Sequence, residues 1–197
     1  MAAVGAEIET LIPGAQGRVL GALVRLDGPR TISDVARLAD VSRDRAATVV
    51  DGLERLGLVE RRHAGRAHLV QLILEHPVSQ SLREIERTRE RTVEALRAAA
   101  RGLEPAPTYM ALYGSWARGE ATEDSDLDVA VIADPADDVD ALLAALDAWS
   151  RFAGRATGRN PSLVIAEGRR KARSALWSSV RRDAIVLVDT PEVDHGA

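Results

Sequence analysis

The chain has 197 residues, 46% of them hydrophobic and 28% charged, which suits one large soluble domain or two small ones. The absence of cysteine excludes a disulfide framework and a thiolate metal site. No apolar run approaches the length of a membrane span, so no membrane partner is expected and the cytoplasm is the default location. The opening MAAVGAEIETLIPG also lacks the basic and apolar regions of a signal peptide. The net charge of −4 is unevenly spread: Gly14 to Glu75 holds 10 arginines against 8 acids, and Thr108 to Ala197 holds 10 basic residues against 15 acids. A basic front and an acidic back suggest two separate jobs.

After an N-terminal extension over residues 1–13, residues 14–26 place Val19, Leu20, Leu23, Val24 and Leu26 on a helical stripe. The break GPRT follows, and Thr31 or Ser33 can cap the next helix, ISDVARLAD. A short turn at Asp40 and Val41 leads to Ser42, an N-cap for RDRAATVVDGLERLG. There Ala46, Val49, Val50, Leu53 and Leu56 face one way, and Gly57 closes the helix as a C′ glycine. LVERR and AHLVQLIL then read as a hairpin turning at HAGR.

The stretch TISDVARLADVSRDRAATVVDGLERLGLVERR resembles a winged helix-turn-helix of the bacterial transcription-regulator kind, here assigned to residues 14–76. The resemblance implies double-stranded DNA as partner, a homodimer, and a recognition helix with Ser42, Arg43, Arg45 and Thr48 facing the DNA. Arg61, Arg62, His63 and Arg66 would lie on or near the wing, with Arg61, Arg62 and Arg66 as DNA contacts. Asp44 and Asp51 dilute the basic face, so only a few phosphate contacts are expected. The alternative is a wing-bearing domain for dimerisation or protein contact, with Arg61 and Arg62 as solvated charge.

Residues 77–106 read as a connector, with one long helix from Val78 to Leu103 entered at Pro77. Leu82, Ile85, Val93, Leu96 and Leu103 recur at helical spacing, while Arg89 stands where a coiled-coil seam needs an apolar residue.

From residue 107 onward the chemistry concentrates. TYMALYG reads as a buried strand ending at Gly114-Ser115, and DLDVAVIAD reads as a second strand. Strand alternation points Asp126 and Asp128 the same way, with Cα atoms about 7 Å apart. Two like charges this close repel unless a cation or a proton intervenes, and an all-oxygen site fits Mg²⁺ or Mn²⁺. The Gly-Ser turn opens a helix whose free N–H groups suit a phosphate, with Arg118 one turn along.

GSWARGEATEDSDLDVAV resembles the signature of the polymerase-beta-type nucleotidyltransferases, particularly their minimal bacterial members, over roughly residues 107–190. It implies an α/β domain with a small mixed sheet, giving a multi-domain α+β chain, and an NTP–Mg²⁺ substrate. Asp126 and Asp128 would be catalytic metal ligands; Gly114, Ser115 and Arg118 would bind the nucleotide. The family also usually carries a third acid on a later strand. In NPSLVIAEG the matching position is Ser162 or a neighbour, and the only nearby acid is Glu167, of opposite parity. Glu167 stands as the third catalytic candidate from a bent strand end; otherwise the base comes from elsewhere, or transfer is slow or lost. The expected function is therefore Mg²⁺-dependent transfer of NMP to an unknown hydroxyl acceptor, coupled to DNA binding. The alternative is a regulator that senses a nucleotide without catalysis.

Overall fold

The computed structural model describes residues 7–64, 67–122, 124–134, 138–168, 177–178, 180, 182 and 184–190. The chain divides into two compact units, one over Val4–Arg89 and the other from Glu90 onward.

The first unit is built from α1 (Glu7–Leu11), α2 (Ala15–Arg25), β1 (Arg30–Thr31), α3 (Ile32–Leu38), α4 (Arg43–Arg55), β2 (Val59–Ala64), β3 (Ala67–Leu72) and α5 (Pro77–Glu86). Thr31 caps α3 and Ser42 caps α4, where the Arg45 amide donates to Ser42 Oγ at 3.3 Å. Each cap satisfies a donor the helix start would otherwise leave free. Gly57, at φ 72, takes the left-handed turn after α4 that a side chain resists. The hairpin pairs Val59 with Leu72 through Ala64 with Ala67, and the short β1 adds to β3, giving the order β1-β3-β2. Val19, Leu23, Val35, Ala46, Val50, Leu53, Val59 and Val70 bury one common core. Two elements escape the sequence pattern, α1 and β1; each is too short to show a period.

The long helix expected across Val78–Leu103 is two helices, α5 and α6 (Thr88–Arg101), interrupted at Arg87. The reason is visible in the chain. Between Ile85 and Val93 runs ERTRERT, which offers no apolar side chain to hold a continuous face. Leu82 belongs to the core of the first unit, whereas Leu96, Ala100 and Leu103 belong to that of the second.

The second unit continues with β4 (Tyr109–Tyr113), α7 (Gly114–Arg118), β5 (Leu127–Ala133), α8 (Val139–Thr157), β6 (Pro161–Glu167) and β7 (Ile185–Asp189). The strands form one mixed sheet, β6-β5-β4-β7, parallel only between β5 and β6. Alternation sorts its two faces. Met110, Leu112, Leu127, Val129 and Val131 pack with Leu96 and Ala100 of α6 and with Leu142, Leu146 and Trp149 of α8. Trp149 Nε1 donates to the Leu96 carbonyl at 3.2 Å, so its one polar atom is satisfied in the core. Tyr109, Ala111, Ala130 and Ile132 form the opposite face, with Trp177 and Val180 packed on it. The even-numbered residues of β5 point to that second face, and Asp128 is the first of them.

Candidate functional site

The acidic site forms where β4 ends and β5 begins. Tyr113 pairs with Asp128 across the antiparallel ladder, and Ser162 pairs with Asp128 across the parallel one. Asp126 stands exposed one residue before β5, while Asp128 is half-buried within it. The turn from β4 into α7 is made by Gly114 at φ 73. A Cβ built on Gly114 would overlap the carboxylate of Asp128. Glycine is therefore required twice over, for backbone conformation and for room beside an acid.

Electrostatics agree with that crowding. Burial, and then the Asp126 charge, push the Asp128 carboxyl above its ordinary value, with Arg118 partly opposing them. Tyr113 is pushed up by burial and by the Asp128 charge. Arg118 donates through Nε to Glu120 at 2.7 Å. Gly119, at φ 76, then turns the chain out of α7, and the Glu120 amide donates to the Ser115 carbonyl at 2.8 Å. Ser115 is half-buried at the start of this five-residue helix.

Gly114, Ser115, Arg118, Asp126 and Asp128 thus fall at one end of the sheet, as their spacing suggested. Glu167 does not join them. It pairs with Ala133, at the far end of β5 from Asp128, roughly 17 Å along the strand at about 3.3 Å per residue. The expectation that Glu167 completes the acidic set is corrected: β6 stays in register with β5 to its end, with no bend to bring Glu167 back. The residue beside Asp128 is Ser162. Among the described residues there is no cluster of three or more metal-ligating side chains. Tyr113, which adjoins the Gly-Ser turn directly, also lies beside Asp128.

The basic site lies in the first unit. Ser42, Arg43, Arg45 and Thr48 are all exposed along the first turns of α4. Ser42 is also the cap, and Thr48 Oγ1 donates back to the Asp44 carbonyl at 2.9 Å. Arg61 reaches Asp51 at 2.5 Å and Glu54 at 3.1 Å, so its charge is already met by α4. Arg62 is exposed and paired with Glu60 at 2.6 Å. The His63 and His68 rings meet across the hairpin with centroids 4.4 Å apart and planes tilted by 60°, while Arg66 lies outside the described residues.

Comparison with known proteins agrees with both halves. Residues 12–68 match the MarR family and residues 93–185 match the nucleotidyltransferase domain. The chain carries a MarR-type winged-helix DNA-binding domain followed by a nucleotidyltransferase domain. Among solved structures, a mutant of the toxin–antitoxin pair MntA-HpeT aligns at 23% identity over 50% of this chain and 74% of its own, with TM-score 0.39. A MarR-family transcription regulator aligns at 22% identity over 48% of this chain and 62% of its own, with TM-score 0.34. A search of curated proteins returned no match.

Proposed function

We propose that the C-terminal domain binds a nucleoside triphosphate with Mg²⁺ or Mn²⁺ and transfers its NMP to a hydroxyl acceptor, while the N-terminal domain holds the protein on double-stranded DNA. The observation that carries this is the packing of Asp128 against the turn at Gly114, which has no room for a side chain, with the Asp126 charge near enough to act on Asp128. The donor set fits a hard divalent cation: two carboxylates that repel one another, with oxygen sites left for phosphate and water. Asp126 and Asp128 would hold the ion, which when bound neutralises charge on the phosphates and polarises the acceptor oxygen. Ser115 and the amides opening α7 would orient the triphosphate, with Arg118 adding charge. Exposed Arg43 and Arg45, without ion-pair partners among the described residues, would supply the DNA contacts together with Ser42 and Thr48. A cytoplasmic homodimer suits this reading, and no helix among the described residues is long and apolar enough to cross a membrane.

The test is label transfer. Wild type and an Asp126→Asn/Asp128→Asn variant are incubated with each α-labelled NTP, Mg²⁺ or Mn²⁺, and host lysate. The expected result is one discrete labelled acceptor with wild type alone; label remaining on free nucleotide with both proteins overturns transfer.

A second reading has its own observation. Ser162 occupies the place beside Asp128, and a hydroxyl cannot serve there as a carboxylate base or add charge for a second cation. That favours a domain that binds its nucleotide and reports it to the DNA-binding half without transferring it. Ser162→Asp separates the two readings. A sensor gains transfer with the third carboxylate, whereas a working transferase changes little.

A further inference from the structure

Asp126 has a structural problem that Asp128 does not. Asp128 sits in the sheet, paired on both sides. Asp126 precedes the first paired residue, Leu127, so its position depends on the loop from Glu120. Mutual repulsion pushes that loop away from Asp128 whenever no cation lies between the two acids.

The turn from α8 to β6 answers this. Arg159 Nη1 donates to two carbonyls of the loop, Thr122 at 2.5 Å and Ser125 at 2.6 Å. The next residue accepts a third bond, from the Leu127 amide to the Asn160 carbonyl at 2.9 Å. The peptide groups on both sides of Asp126 are therefore tied to adjacent residues of one turn. The loop is closed on itself as well. The Ser125 amide donates to the Thr122 carbonyl at 3.1 Å, and the Thr122 amide donates to Ser125 Oγ at 2.9 Å. The anchor is itself rigid. Gly158, at φ 70, ends α8 with its amide on the Gly154 carbonyl at 2.8 Å, and the Arg159 amide donates to Thr157 Oγ1 at 3.3 Å. A Cβ on Gly154 would stand in ordinary contact with the Arg159 carbonyl at 3.4 Å, so the turn lies against the helix.

We infer that Arg159 is a positioning residue for the acidic site: it clamps the loop so that Asp126 is held beside Asp128 before any cation arrives. The inference rests on the reading of Asp126 and Asp128 as cation ligands. Its logic is preorganisation. A ligand held in place loses less freedom on binding, and groups that orient metal ligands typically contribute about 10–100-fold in affinity.

The test measures Mn²⁺ binding to the full-length protein by electron paramagnetic resonance, with and without ATP. The proteins are wild type, Arg159→Ala, Arg159→Lys and Arg155→Ala, with a thermal melt for each. Arg155 lies in the last turn of α8 and is exposed, so its loss controls for charge alone. The expected result is a fall of about tenfold for Arg159→Ala, partial recovery for Arg159→Lys, and wild-type binding for Arg155→Ala. If Arg159→Ala does not fold, Arg159→Gln, which keeps one amide donor, takes its place with the same expectation. Wild-type affinity in the folded Arg159 variant overturns the clamp alone, as does an equal loss in Arg155→Ala. Failure of the wild type to bind Mn²⁺ overturns the reading of the acidic pair, and the clamp with it.

Discussion

Each unit of this chain contains a carboxylate that burial pushes above its ordinary value, and the two are treated differently. In the first unit, Glu86 accepts from the Ile8 amide at 3.3 Å and faces Arg25 at 3.6 Å; Arg25 also holds Glu9 at 2.8 Å. Gly21 leaves space beneath this group, for a Cβ there would meet Arg25, Glu9 and Glu86 together. In the second unit, Asp128 has another acid, Asp126, as its prominent charged neighbour, and Arg118 offsets only part of the cost. Glu86 is met by an amide and an arginine of its own unit, although Glu7 and Glu9 lie near enough to raise it further. At Asp128 the neighbouring acid outweighs the arginine, whereas at Glu86 the arginine outweighs either acid.

The largest expected effect tests that contrast directly. Asp126→Asn/Asp128→Asn abolishes Mn²⁺-dependent ATP binding, a loss of about 100-fold or more if each ligand contributes at least tenfold. Glu86→Gln leaves that binding at the wild-type level and alters only the melting temperature. Equal binding losses from both changes would erase the distinction. Gly114→Ala should come next. The strained positive φ costs about 1 kcal/mol and the overlap with Asp128 adds to it, so thermal stability and nucleotide binding fall together.

The arginines sharpen the same comparison within the first unit. Arg43→Ala and Arg45→Ala should each weaken DNA binding about tenfold and lower the slope of log affinity against log salt by about 1, measured by fluorescence anisotropy. Arg61→Ala should spare that slope and instead destabilise the unit by about 1 kcal/mol, because Arg61 is held by Asp51 and Glu54.

The smallest effect concerns pH. The Asp128 pKa is raised in the fold above the 3.8 of the free side chain. Its favourable contribution is therefore complete below the unfolded value and lost as pH rises through the folded one. Above that range, metal-free Asp126→Asn should be more stable than wild type by about 1 kcal/mol, the scale of a like-charge contact in partly aqueous surroundings. Added Mn²⁺ should reverse the order. Chemical denaturation at pH 4 and pH 7.5, with and without Mn²⁺, gives the answer.

Much of this was legible in the chain because it is local. Thr31 and Ser42 announce helix starts, Gly57 announces a stop, and the period of two in DLDVAVIAD puts Asp128 on the face of Ala130 and Ile132. Elements without a distinctive period are harder: α1 and β1 are too short to show one, and apolar residues on either side of the gap between α5 and α6 still fit a single helical stripe. Helix α8, with four buried apolar residues and an Asp138 cap, carries its own signals in the sequence.

Sequence alone determined two local arrangements, a capped helix with exposed arginines in its first turn and a Gly-Ser turn upstream of paired aspartates, since each depends on residues near one another in the chain. Tertiary structure decided the partners. Strand register put Ser162 beside Asp128 and sent Glu167 to the far end of the sheet. Folding of the wing against α4 occupied Arg61 with Asp51 and Glu54. The turn after α8 delivered Arg159 to the loop before Asp126, across a separation of 34 residues from Ser125. Register and long-range pairing are set by how whole elements pack, and no local period encodes them.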